Sequence, residues 1–134
     1  YYPGEQIPNI VLDGWEGRRL DLSEYKGRKV VLSFWAAYDA QSRASNVSLY
    51  NYLKAVAPDV VFVSISFDEN RTVFERTALL DRIDLHAQFC DETGANSAIY
   101  KEFRLKNGFR NYLIDENGVI LEIDLSVEKL KRLI

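Results

Sequence analysis

Cysteine and histidine occur once each in this chain of 134 residues, as Cys90 and His86. A single cysteine allows no intrachain disulfide and no multi-cysteine metal site, and a single histidine excludes a two-histidine metal centre. No metal and no cofactor are therefore expected. Cys90 has two readings: a peroxidase or mixed-disulfide thiol, or a small apolar residue at a strand end. No Lys or Arg lies within five positions of it to lower its pKa, and free cysteine is among the most buried residue types. His86 shares strand parity with Cys90 if one strand carries both, but a straight strand keeps their β-carbons too far apart for a hydrogen bond. A Ser42–His86–Asp39 triad would need the lone histidine to reach the helix start that carries the other two. Asp39 has a simple structural reading as a helix N-cap, set against an acidic contact for a ligand.

The elements that must hold these residues follow from pattern. Tyr1 to Pro8, with two of the three prolines, is expected to run extended. Ile10 to Leu12 and Arg19 to Asp21 flank Gly14 and Gly17 as a short hairpin, and Leu22 to Gly27 reads as a polar turn. Lys29 to Trp35 is apolar enough to be a strand buried on both faces. From Ala40 the period becomes helical, with Ala44, Val47, Leu49, Tyr50, Leu53 and Val56 inward, and Pro58 stops the helix. Val60 to Ser66 is a second buried strand, followed by a helix with Val73, Phe74, Thr77, Ala78 and Leu80 inward. Strand, helix, strand implies a right-handed parallel crossover. A short strand over Leu85 to Phe89 precedes a helix from Gly94 to Phe103 on Ala95, Ala98, Ile99 and Phe103. Tyr112 to Asp115 and Val119 to Asp124 flank Asn117-Gly118, a type I′ hairpin signal. Val127 to Ile134 is a last helix, with Val127, Leu130, Leu133 and Ile134 on one face.

Composition sets the outer limits. Hydrophobic residues make up 47% and charged residues 28%, which is globular rather than disordered, and this length suffices for one domain spanning residues 1 to 134. The apolar run Val30 to Ala37 is far short of the roughly 18 residues of a transmembrane helix. Seventeen basic against twenty acidic side chains give a net charge of −3, without the basic stripe that nucleic acid requires. Methionine is absent, so the chain is expected to be a processed or trimmed product beginning near a domain boundary.

This α/β order resembles a thioredoxin fold, with a mixed central sheet flanked by helices and an N-terminal β-hairpin. The local wording narrows it: Leu22-Ser23-Glu24-Tyr25-Lys26-Gly27 leads into Val30-Val31-Leu32-Ser33-Phe34-Trp35-Ala36, and Tyr112-Leu113-Ile114-Asp115-Glu116-Asn117-Gly118 follows later. The chain is similar to the TlpA-like thiol-disulfide oxidoreductases, which border the AhpC/TSA peroxiredoxins. In that family the Phe-Trp-Ala strand end runs into Trp-Cys-x-x-Cys, whose first cysteine is made a thiolate by the helix dipole. By this resemblance Asp39 and Ser42 stand where the two cysteines would be, and neither can exchange with a disulfide. The cis-proline that precedes the later strand in the family falls at Phe109. The resemblance places Trp35, Tyr38, Asp39, Phe109 and Arg110 at the former substrate groove, as ligand contacts or, for the aromatics, plain packing. Gly108-Phe109-Arg110 is expected to lie against Tyr38-Asp39-Ala40, with Arg110 partnering Asp39. The resemblance implies a redox-inactive binding or assembly module of the periplasm or cell envelope, with a protein or peptide as partner. The alternatives are oxidoreductase or peroxidase activity through Cys90, and a purely structural domain of a larger protein.

Overall fold

The computed structural model describes residues 1–13 and 17–134. Its described residues form a mixed five-stranded sheet in the order β5-β4-β3-β6-β7 and a separate two-stranded hairpin, β1-β2. The strands are β1 (Val11–Asp13), β2 (Arg19–Asp21), β3 (Val30–Trp35), β4 (Val61–Ser66), β5 (Gln88–Cys90), β6 (Asn111–Ile114) and β7 (Ile120–Ile123). The helices are α1 (Ala40–Val56), α2 (Arg71–Asp81), α3 (Ala98–Glu102) and α4 (Val127–Leu133). β3 is central and wholly buried, parallel to β4 and antiparallel to β6, as its apolar run requires. β1 pairs antiparallel with β2, and Gly17 before β2 takes φ +74°, while the Gly14 part of the expected turn lies outside the described residues. Leu22–Tyr25, read as a polar turn, is a turn of 3-10 helix because the Asp21 carboxylate accepts from the Ser23 N–H and caps it.

Alternation along β3 divides the core. Val30, Leu32 and Phe34 join Val63, Ile65, Phe67, Phe103 and Tyr112 on the face covered by the N-terminal segment and α3. Val31 packs with Leu49 and Leu53 of α1 and with Leu113, Leu125 and Leu130 on the other. α2 lies on that second face too, where Phe74 meets Trp35 at 6.3 Å. Two parallel crossovers stepping in the same direction, β3 to β4 to β5, put both helices on one side.

Register places a polar row under α1 and α2. Gln88 pairs with Ser64, Ser64 with Ser33 and Ser33 with Asn111, all buried. Asn46 of α1, 0% exposed, descends onto this row and accepts from the Ser64 hydroxyl at 2.8 Å. Asn111 accepts from the Leu125 N–H, tying the start of α4 to β6.

Several expected faces differ. In α1 the buried residues are Asn46, Leu49 and Leu53, while Ala44 is exposed and Val56 is 58% exposed. The buried stripe runs through a polar residue, Asn46, whose amide oxygen the Ser64 hydroxyl satisfies. In α2, Phe74, Thr77 and Ala78 are buried, but Val73 and Leu80 face outward. The segment before Cys90 is 3-10 helix over Leu85–Ala87, capped by Asp84, and becomes strand only at Gln88. The helix expected from Gly94 is broken at Ser97, whose hydroxyl accepts from the Ile99 and Tyr100 N–H groups and starts α3 afresh. Ala95 and Ala98 are exposed. In the β6–β7 turn only Gly118 takes positive φ, and its N–H donates to the Asp115 carbonyl. With Asn117 outside the left-handed region, the loop is a type I turn closed by a glycine rather than type I′. On α4, Leu133 is 40% exposed and only Leu130 is buried.

Candidate functional site

The carboxyl end of β3 meets the start of α1 at a tight junction. Asp39, in extended conformation at φ −109° and ψ 99°, accepts from the Ser42 N–H at 2.9 Å. The Ser42 hydroxyl donates back to the Asp39 carbonyl at 3.0 Å and accepts from the Ala36 N–H at 3.3 Å. This is a complete N-cap, with both side chains occupied in holding the first turn. A serine held in this way has no base beside it, and His86 lies on the 3-10 turn after α2, so no triad forms.

A second carboxylate, Asp68, anchors the same junction and was not picked out by motif. It is 4% exposed, and both its oxygens accept from the Ala37 N–H, at 3.0 and 2.9 Å. The Ser66 hydroxyl donates to it at 2.6 Å. Its backbone carbonyl accepts from the Cys90 thiol at 3.4 Å. Asp68 thus links the ends of β3, β4 and β5. The signal for it was Ser-x-Asp at the end of a buried strand, a local pattern in which side chains bind nearby backbone.

Cys90 is half-buried on β5. Burial pushes its thiol up to about 12, with Asp68 and Glu92 adding to the rise while the Ser66 hydrogen bond and Arg71 oppose it. At neutral pH it is a thiol, not a thiolate, and therefore a poor nucleophile. Cys90 and His86 do not share a strand, so the parity that would pair them does not arise.

The aromatic set separates. Trp35 is 0% exposed on the α2 side and reaches no groove, so its expected place among the groove aromatics is corrected; Phe34 beside it points to the opposite face. Tyr38 and Phe109 do come together, with ring centroids 6.1 Å apart. Phe109 stacks on Phe67 at 6.1 Å with planes 20° apart, and meets Tyr100 edge-on at 6.2 Å. The Gly108-Phe109-Arg110 segment therefore lies against the Tyr38 turn, and the Arg110 carbonyl accepts from the Phe34 N–H at 3.0 Å. Arg110 does not pair with Asp39; its guanidinium reaches Asp124 at 3.4 Å. Asp124 is drawn there by its left-handed φ of 51° after β7, which aims it back across Asn111.

The contact between Tyr38 and Phe109 stands between two hollows. One, of about 570 Å³, is lined by Ala37, Tyr38, Phe67, Asp68, Glu69 and Val73 among others. The other, of about 250 Å³, is polar and lies beside Asp39, Ser42, Phe109, Arg110 and Asn111. Among the described residues no three His, Cys, Asp or Glu side chains are grouped to hold a metal ion. No helix of the described residues is long and apolar enough to cross a membrane. The arrangement leaves a hollow open beside the Tyr38 ring, and neither Ser42, held in the cap, nor Cys90, its pKa raised by burial, is an activated nucleophile.

Comparison with known proteins agrees with this fold. The profile of the AhpC/TSA family matches residues 3–123. The thioredoxin-like protein YneN of Bacillus subtilis is 26% identical over 132 residues, covering 97% of this chain and 75% of its own. A thioredoxin-like protein from Parabacteroides distasonis superposes with a TM-score of 0.85 at 39% identity, over 98% of this chain and 93% of that one. A thiol-disulfide oxidoreductase from Bacteroides fragilis gives 0.80 at 27% identity, over 97% and 100%.

Proposed function

The chain belongs to the AhpC/TSA family, within the thioredoxin-like thiol-disulfide oxidoreductases, and from that premise we propose that it is a redox-inactive member: a single domain that binds a protein or peptide as a binding or assembly module of the cell envelope. The observation that carries this reading is the junction of β3 and α1. Where the family chemistry needs a thiolate at the helix N-terminus, Asp39 is spent as the N-cap and Ser42 completes it. The remaining thiol sits two strands away with its pKa raised by burial. Thiol–disulfide exchange requires the thiolate, so neither position supports turnover.

Binding is favoured over a purely structural role by exposure. Phe109 is half-buried and fills part of the groove, but Tyr38 beside it is 70% exposed, a large aromatic surface left to solvent next to a hollow. Nucleic acid is a poor fit for a net charge of −3. Placement in the periplasm or envelope rests on the family resemblance, and fractionation of cells carrying the full-length gene tests it.

The binding reading is tested by adding short extended peptides to the isotopically labelled protein and following amide shifts. Shifts focused on Ala37 to Ala40 and Gly108 to Arg110 support it. Shifts confined to residues away from these segments and from the hollow beside Tyr38, or none at any peptide concentration reached, overturn it.

A further inference from the structure

We propose that the hollow between Tyr38 and Glu69 takes a cationic segment of its protein partner, a Lys or Arg side chain laid over the Tyr38 ring with its charge toward Glu69. The proposal rests on the binding reading above and names the chemistry of the occupant.

The floor of the hollow is aromatic and apolar. Phe67 supplies its base, Tyr38 its exposed wall, and Val73, 43% exposed, its far edge on α2. Phe67 packs with Phe109 at 6.1 Å and Tyr100 at 5.7 Å, and those two rings also meet each other, so the aromatic platform beside Tyr38 is fixed. Such a surface would suit any apolar side chain.

Charge selects among them. Asp68 and Glu69 line the hollow, Asp39 follows Tyr38 in the chain, and no Lys or Arg of the described residues lines it. The cations nearby are committed to other acids: Arg43 to Asp81, Arg71 to Glu75 and Glu92, and Arg110 to Asp124. Asp68 is satisfied by N–H and O–H donors alone, so its negative charge is not cancelled by a cation. Glu69 is exposed and makes no ion pair among the described residues. The Tyr38 hydroxyl registers the same field: its pKa is raised by burial first, then by Tyr100, Asp68, Asp39 and Glu69. An electron-rich ring face beside uncompensated carboxylates favours a cation with an apolar stem, which is what lysine and arginine carry. An acidic segment would be repelled, and a neutral apolar one would gain only the floor.

The test uses three blocked peptides of equal length, differing only at two central positions: lysine and arginine, norleucine twice, or glutamate twice. Each is titrated into the labelled wild-type protein, Glu69→Gln and Tyr38→Ala. Both substituted residues are exposed, so both variants should keep the fold, which the unchanged amide spectrum elsewhere verifies. The cationic peptide should shift Ala37, Tyr38, Glu69 and Ala95 and bind at least about tenfold tighter than the norleucine peptide, with the advantage shrinking as salt screens it. Glu69→Gln should remove about threefold or more of that advantage, and Tyr38→Ala should weaken both peptides. Equal binding of cationic and norleucine peptides at this hollow, or a cation preference that Glu69→Gln leaves intact, overturns the inference while leaving the binding reading standing. No binding by any of the three overturns both.

Discussion

The Asp39 carboxylate accepts the Ser42 N–H at 2.9 Å and closes the first turn of α1, which on the proposed reading is the place where the family's chemistry calls for a sulfur anion. The helix dipole that would stabilise a thiolate there instead stabilises a cap. On the proposed reading the scaffold is kept and the chemistry depends on two side chains.

That relationship predicts an engineered rescue of the disulfide. Asp39→Cys with Ser42→Cys places the two sulfurs at the N-cap and third helical positions, near enough for a bridge. Mild oxidation should consume both engineered thiols, and the one replacing Asp39 should titrate below a free cysteine. The reduced double variant should lose about 1 kcal/mol with its cap. Two free thiols persisting in the folded, oxidised protein would show that the junction is not built as described.

Cys90 should react with iodoacetamide at neutral pH far more slowly than a free cysteine, because little of it is thiolate. Its pKa is raised by burial from 9.0 to about 12, so folding favours the neutral thiol. That contribution is complete below the unfolded value and is lost as pH rises through the folded one. Tyr112, raised by burial from 10.0 to about 12, acts in the same direction. Urea midpoints should therefore fall between about pH 9 and 12, and Cys90→Ala should reduce the slope without abolishing it. A slope unchanged by Cys90→Ala would contradict the assignment of Cys90 to this loss.

The pair Ser64 and Asn46 should behave as a unit. Both are 0% exposed, and the Asn46 side-chain N–H groups have no partner among the described residues, so the hydroxyl bond is what offsets burial of the amide. Ser64→Ala alone leaves the Asn46 oxygen unpaired and should cost about 1 to 3 kcal/mol. Ser64→Ala with Asn46→Leu should cost less than the sum of the single changes. Additive losses in denaturant melts would remove the coupling.

Phe109→Ala should lower stability by about 1 to 3 kcal/mol, less than for a fully buried phenylalanine, because the ring is half-buried yet packs on Phe67, Tyr38 and Tyr100. It should also join the two hollows, seen as increased binding of an environment-sensitive apolar dye. Neutral stability and unchanged dye binding would mean that Phe109 does not separate them.

What was legible in the sequence follows from what is local. The runs Lys29 to Trp35 and Val60 to Ser66 read as buried strands because β-branched and aromatic residues leave little alternative, and Asp39 reads as a cap because an acid before a helical period has that use. The α1 face is not set by its apolar period alone, because Asn46 turns inward to Ser64, which pairs with Ser33 and Gln88 on the neighbouring strands. Trp35 was placed in the groove with Tyr38, although strand alternation already put it opposite Phe34. Arg110 was assigned to Asp39 by proximity of segments, whereas the left-handed backbone at Asp124, which no local pattern announces, brings a competing carboxylate to it. Asp68 and Glu69, which give the hollow its charge, carried only a short turn pattern and became visible when β3, β4 and β5 were aligned.

The most direct measurement of the central claim is turnover by the wild-type protein, with insulin reduction driven by dithiothreitol and hydroperoxide consumption followed separately. The protein should run at the uncatalysed rate in both, and Cys90→Ser should change neither. Catalysis above background that disappears in Cys90→Ser would contradict the claim and make this chain a working thiol enzyme.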